Sequence, residues 1–188
     1  MPPRLVVLAS GSGTTLQAIV DDADLRPYVV AAGTDVPGCR AMQRAEAAGL
    51  PTFGVALRDH PDRAAWNVAL ADAIDAHTPD LVVLAGFMRV LAPDVVRRFR
   101  IVNTHPALLP AFPGAHAVRD ALGAGVDTTG VTVHWVDEGV DTGPVIAQVS
   151  VPVHPDDDED TLRERIQAAE KPLYLETLKQ LCQETAAQ

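Results

Sequence analysis

Two stretches, Leu5-Val6-Val7-Leu8-Ala9 and Leu81-Val82-Val83-Leu84-Ala85, are apolar at every position, and this constrains the fold more than any other feature. A strand with one solvated face alternates between apolar and polar residues. A run that is apolar on both parities must be covered on both faces, as strands are in a parallel sheet flanked by helices. Between these runs, Tyr28 to Ala32 and Pro51 to Val55 read as further short strands, and Cys39 to Ala48 and Pro61 to His77 as helices. Gly49 suits the position just past the first helix. The second carries Trp66, Leu70 and Ile74, and Pro79-Asp80 ends it. A short helix over Ala92 to Phe99 follows. This alternation predicts a βαβ series, hence an α/β fold with a doubly wound, mostly parallel sheet. A length of 188 residues with no linker or composition break predicts one domain over residues 1–188.

The second half has a different character. A helix is expected over Ala115 to Gly123, bearing His116 and Arg119. Thr129 to Val136 alternates, and Val145 to Val153 is rich in β-branched residues. They predict an antiparallel C-terminal addition at the sheet edge, with a long tip from Asp137 to Gly143. Leu162, Ile166, Ala169, Leu173 and Leu178 then recur at helical spacing. The acidic run Asp156 to Asp160 reads as a solvated helix start favoured by the dipole, and it lacks the spacing of an EF-hand calcium loop.

The net charge of -10 excludes the basic footprint of a nucleic-acid binder, so any anionic ligand must be held by local donors. Two cysteines, Cys39 and Cys182, make neither a disulfide framework nor a zinc pattern. No apolar run reaches membrane-spanning length, and the N-terminal run is too short for a signal peptide. A cytoplasmic location and a metal-free site are the expectations.

Three motifs carry chemistry. Ser10-Gly11-Ser12-Gly13-Thr14-Thr15 lies between a strand and a helix bearing Leu16, Ile19 and Val20. Glycines there let a phosphate approach the free N–H groups of a helix start. The turn lacks the third glycine of the dinucleotide fingerprint and the lysine of a P-loop, and it also fits a tight turn with a threonine cap. Gly86 to Leu91 follows a buried strand, where ligands of open α/β sheets bind, and could wall an apolar slot or pack as a core turn. In Ile101 to Pro110, Asn103 and His105 stand two residues apart and project to one face of a strand, with Pro106 and Pro110 stiffening its exit. An amide beside an imidazole suits a carbonyl oxygen that becomes negative, although a polar strand end satisfying local groups would look the same. Asp141-Thr142-Gly143 invites an aspartic-protease reading, but that chemistry needs two carboxylates sharing a proton. The preferred reading folds Asp141 back onto His105, where it favours the imidazolium. No side chain of the set is an obvious nucleophile, so the substrate brings its own.

Together with Pro144-Val145-Ile146 and Glu170, these motifs occur in an order that resembles the folate-dependent formyltransferases, specifically the phosphoribosylglycinamide formyltransferase (glycinamide ribonucleotide transformylase) family, from about Leu5 to about Leu178. The resemblance implies a Rossmann-like formyltransferase fold. It also implies formyl transfer from 10-formyltetrahydrofolate, the co-substrate, to the amine of 5-phosphoribosylglycinamide in purine biosynthesis. By the same resemblance Asn103, His105 and Asp141 are catalytic. Gly13, Thr14 and Thr15 hold the substrate phosphate, Glu170 takes the ribose hydroxyls, and His116 lies on the substrate side. Arg63, Met88, Arg89, Val90, Leu91, Asn103, Asp137, Glu138, Gly139, Val140 and Asp141 line the folate slot. Thr15 stands where family members often carry Asn, and Thr142 where glycine is common. His134, on a strand, reads as structural. Partners are expected to be small molecules only, with the protein a monomer or a homodimer. Methionyl-tRNA formyltransferase shares the core but carries a further C-terminal domain. Formyltetrahydrofolate hydrolase shares it with an added N-terminal domain. A non-catalytic phosphate-ligand sensor is the alternative from a different class.

Overall fold

The computed structural model describes residues 1–187 in two compact units. The first comprises Met1–Val102 and the chain from Leu178 onward; the second is Asn103–Thr177.

In the first unit, strands β1 (Leu5–Leu8), β2 (Val29–Thr34), β3 (Thr52–Gly54) and β4 (Leu81–Leu84) and the start of β5 (Ile101–His105) alternate with helices α1 (Thr14–Asp21), α2 (Arg40–Ala47), α3 (Arg63–Asp75) and α4 (Pro93–Arg98). Neighbouring strands pair in parallel. The two all-apolar pentapeptides lie side by side in register, Leu5 opposite Leu81 and Leu8 opposite Leu84, and every residue of β1 and β4 is buried. β1 separates the strands that wind one way, β2 and β3, from those that wind the other, β4 and β5. That reversal opens a crevice beyond the carboxyl ends of β1 and β4. The loops from Ser10 to Gly13 and from Gly86 to Ala92 leave those ends.

Local chemistry sets the element boundaries. Asp62 accepts from the Ala65 backbone N–H at 2.8 Å and caps α3, so this helix begins at Arg63 rather than at Pro61. Its Trp66 is fully buried and donates from Nε1 to Val55 O at 2.7 Å. Gly49 adopts a left-handed φ of 72° just past α2, as a helix stop requires. β2 extends to Thr34 because Ala32, Gly33 and Thr34 find parallel partners in β3.

The second unit holds the end of β5, α5 (Ala117–Gly123), the antiparallel pair β6 (Thr128–Trp135) and β7 (Val145–Pro152), and most of α6 (Glu159–Ala186). Within this unit β6 lies between β5 and β7, so β7 forms an edge. Val118, Val131, Val151, Leu162 and Ile166 make one buried apolar cluster; the apolar parity of β6 and the helical spacing of α6 meet there. From Gly130 to His134 the polar parity of β6 is buried too. Thr132 Oγ1 donates to Ala107 O at 2.7 Å and accepts from Leu109 N at 3.0 Å. Alternation in β6 therefore separates an apolar face from a polar face, neither of them solvated.

The acidic run is likewise more than a solvated helix start. The Asp157 side chain is 3% exposed and pairs with Arg165 at 2.6 Å, while Asp158 Oδ1 accepts from Thr161 N at 2.8 Å. Pro172 lies inside α6, where it withdraws one backbone donor without ending the helix. Among the described residues no helix is long and apolar enough to cross a membrane.

Candidate active site

β5 ends in Asn103-Thr104-His105, and the two-residue period directs Asn103 and His105 to one face. The 136–144 loop, which joins β6 to β7, brings Asp141 to that face. Asp141 Oδ2 lies 3.3 Å from His105 Nδ1 and accepts from the Gly114 backbone N–H at 2.8 Å. His105 and Asp141 of the expected set therefore meet within one unit, and Asn103 shares the strand face of His105. His105 is buried and Asp141 is 14% exposed on its side chain. The other ring nitrogen of His105 is 2.7 Å from Phe112 O. A carbonyl only accepts, so His105 Nε2 carries a proton and donates to it.

His134, read as structural from its place on a strand, lies against this group. Its Nε2 is 3.6 Å from Asp141 Oδ1 and 3.4 Å from Asn103 Nδ2. Its Nδ1 is 2.9 Å from Trp135 O and donates to it. With that proton fixed, a neutral His134 accepts from Asn103 through Nε2, and a charged His134 pairs with Asp141 instead. Asp141 thus stands between two imidazoles. The sequence signal was the polar parity of β6, which puts His134 on the same strand face as Thr132. Nothing local marked Gly114 or Phe112, which contribute only backbone atoms. Among the described residues, no group of three His, Cys, Asp or Glu side chains stands in metal-binding geometry.

The loop carrying Asp141 is held by its own polar atoms. Asp137 Oδ1 accepts from Gly139 N at 3.0 Å and from Thr142 Oγ1 at 2.6 Å. Asp137 is thus turned onto its own loop, and Thr142 supplies a bond that a glycine could not. Glu138, Gly139 and Val140 are exposed. A Cβ on Gly143 would fall 1.8 Å from Trp135 O, so the chain must be bare there for the loop to close on β6. His116 is exposed and precedes α5 rather than lying in it. Glu170 is half-buried on α6, and burial pushes its carboxyl above the usual range, partly offset by Lys171.

The remaining predicted positions lie in the first unit. Gly13 caps α1 in the left-handed region, φ 72°, and a Cβ there would lie 2.5 Å from Ala41 Cα. Gly11 O accepts from Ala41 N at 3.0 Å and Ser12 O from Arg44 Nε at 2.9 Å. The carbonyls of the turn thus face α2, while the first-turn N–H groups of α1, including Thr14 and Thr15, have no acceptor within the helix. In the other loop, Met88 and Val90 are exposed. Leu91 is buried. Arg63 Nη2 donates to Val90 O, and Arg89 pairs with Asp35.

Residues 3–178 match the formyl transferase family. The phosphoribosylglycinamide formyltransferase of Mycobacterium tuberculosis is 56% identical over 93% of this chain and 82% of its own length. Among solved structures, glycinamide ribonucleotide transformylase 1 from Symbiobacterium toebii superposes with a TM-score of 0.92 at 41% identity, over 97% of this chain and 88% of that one. The enzyme of the same name from Geobacillus kaustophilus gives 0.90 at 44% identity, over 97% of this chain and 100% of that one. By fold, motif order and extent of match, the chain belongs to the formyl transferase family.

Proposed function

We propose that the protein transfers the formyl group of 10-formyltetrahydrofolate to the amine of 5-phosphoribosylglycinamide, a step of purine biosynthesis. The observation that carries this reading is the contact of Asp141 with His105 at the end of β5, with Asn103 two residues earlier on the same strand face. That set offers donors for an oxyanion and a carboxylate behind them, but no nucleophile. A reaction whose acceptor supplies its own nucleophile, an amine, fits such a site.

The amine lone pair attacks the formyl carbon, and the carbonyl π electrons move to oxygen. The second N–H of the Asn103 amide and a ring N–H of His105 receive that oxyanion. At 3.3 Å the His105–Asp141 contact is long for a charge-assisted bond, so it gives way more readily than the 2.7 Å bond to Phe112 O. Asp141 stabilises positive charge on the ring while the proton lost by the amine reaches the departing folate nitrogen. The bond between that nitrogen and the formyl carbon breaks, releasing tetrahydrofolate and the formylated amine.

Gly13, Thr14 and Thr15 hold the substrate phosphate at the start of α1, and Glu170 accepts from the ribose hydroxyls. The folate is held by Arg63, by the loop of Met88, Arg89, Val90 and Leu91, by Asn103, and by the 137–141 loop. His116 lies on the substrate side. The partners are these small molecules.

The test is direct. The protein is mixed with 10-formyltetrahydrofolate with and without the nucleotide, and folate absorbance is followed. Release that requires the nucleotide supports the transferase. Release without it indicates a hydrolase, and no release in either case rejects both enzymatic readings.

A further inference from the structure

A buried carboxylate outside the reacting group joins the two loops of the crevice. Asp35 follows β2, and its side chain is 2% exposed. Its Oδ1 accepts from Ser10 Oγ at 2.5 Å and its Oδ2 from Arg89 Nε at 2.7 Å. Ser10 Oγ in turn accepts from Met88 N at 2.9 Å, and Ser10 N donates to Gly86 O at 3.0 Å. One carboxylate therefore fixes the first residue of the Gly-rich turn and, by two routes, the loop that presents Met88 and Val90. A negative charge is an odd choice beside a turn proposed to bind phosphate, because it opposes that anion. Arg89 Nε meets it directly, with a side chain that is 39% exposed.

We propose that Asp35 is a positioning residue that locks the Gly-rich turn to the 86–91 loop, and that Arg89 makes this lock compatible with an anionic substrate by neutralising it. The inference rests on the transferase reading above. It differs from a simple folate-contact role for Arg89 in one respect. Removing Arg89 leaves a buried carboxylate with the Ser10 hydroxyl but no cation beside it, next to the phosphate turn, which weakens binding of both substrates. Removing the carboxylate as well relieves the nucleotide half of the defect.

The experiment uses steady-state kinetics on the whole protein, with Arg89→Met, Arg89→Lys, Asp35→Asn and the Arg89→Met/Asp35→Asn double variant, each checked by thermal melting. Arg89→Met is expected to raise KM for both the formyl-folate and the nucleotide about tenfold, with kcat changed far less. Arg89→Lys keeps the charge and should hold the nucleotide KM within about threefold of the parent. The double variant should return the nucleotide KM to the same range while the folate KM stays high. Asp35→Asn alone should loosen the 86–91 loop and raise the folate KM about threefold at unchanged kcat; this arm carries the test if Arg89→Met does not fold. An Arg89→Met defect confined to the folate, a double variant no better than the single, or an unchanged folate KM in Asp35→Asn each overturns the proposal. Absence of any nucleotide-dependent turnover in the parent protein instead removes the transferase reading on which it stands.

Discussion

Asp141 Oδ2 lies 3.3 Å from His105 Nδ1, and Asp141 reaches that place with a left-handed backbone, φ 55°. The two facts belong together. A non-glycine residue in that region costs conformational energy, and Asp and Asn tolerate it better than most. The strain is met by the bond from Gly114 N to the same oxygen and by the Asp137–Thr142 bond that closes the loop.

Asp141→Asn is therefore the clean test of charge. Asn accepts the left-handed conformation and retains an oxygen for Gly114 N. We expect kcat to fall by about 10² to 10³ while the far-UV circular dichroism stays unchanged. Near-normal turnover at neutral pH would remove Asp141 from the chemistry.

His134 touches both Asn103 and Asp141 from the buried face of β6. His134→Gln should preserve strand and size but lose the paired role of the ring, lowering kcat about tenfold with little change in either KM. Equal loss in kcat and melting temperature would reduce His134 to a packing residue.

Gly13 combines a positive φ with a 2.5 Å approach to Ala41 Cα for any added Cβ. Gly13→Ala is expected to destabilise the protein by about 2–3 kcal/mol, seen as a melting temperature lowered by several degrees. Any loss of nucleotide affinity in that variant must be read after this correction, so Thr14→Val, at an exposed position, is the better control for phosphate binding.

Arg165, through its side-chain bonds, holds the Asp157 carboxyl well below the usual carboxylate range, with help from His154 N and the Thr161 hydroxyl. A depressed carboxyl stabilises the folded chain fully above its unfolded value, and that contribution is lost as pH falls through the folded one. Melting temperatures of the parent and of Asp157→Asn should therefore differ at neutral pH and converge in acid, below the ordinary carboxylate range. A gap that stays constant through that range excludes the ion pair as its source.

The apolar pentapeptides, the Gly49 stop, the β-branched edge pair and the 3.6-residue spacing of α6 were legible locally, because each reflects burial or backbone freedom at its own position. Motif order gave the membership of Asn103, His105 and Asp141 in one set. Local sequence could not decide that His134 belongs with them, because a polar residue on an alternating strand points equally well to solvent or to a buried polar face. Nor could it tell that Asp137 bonds its own loop, that Asp157 pairs with Arg165, or that Asp35 bridges two loops. Sequence by itself determined which backbone would form and which residues shun water. Tertiary structure decided which polar groups share a carboxylate, since that pairing depends on distances between elements far apart in the chain.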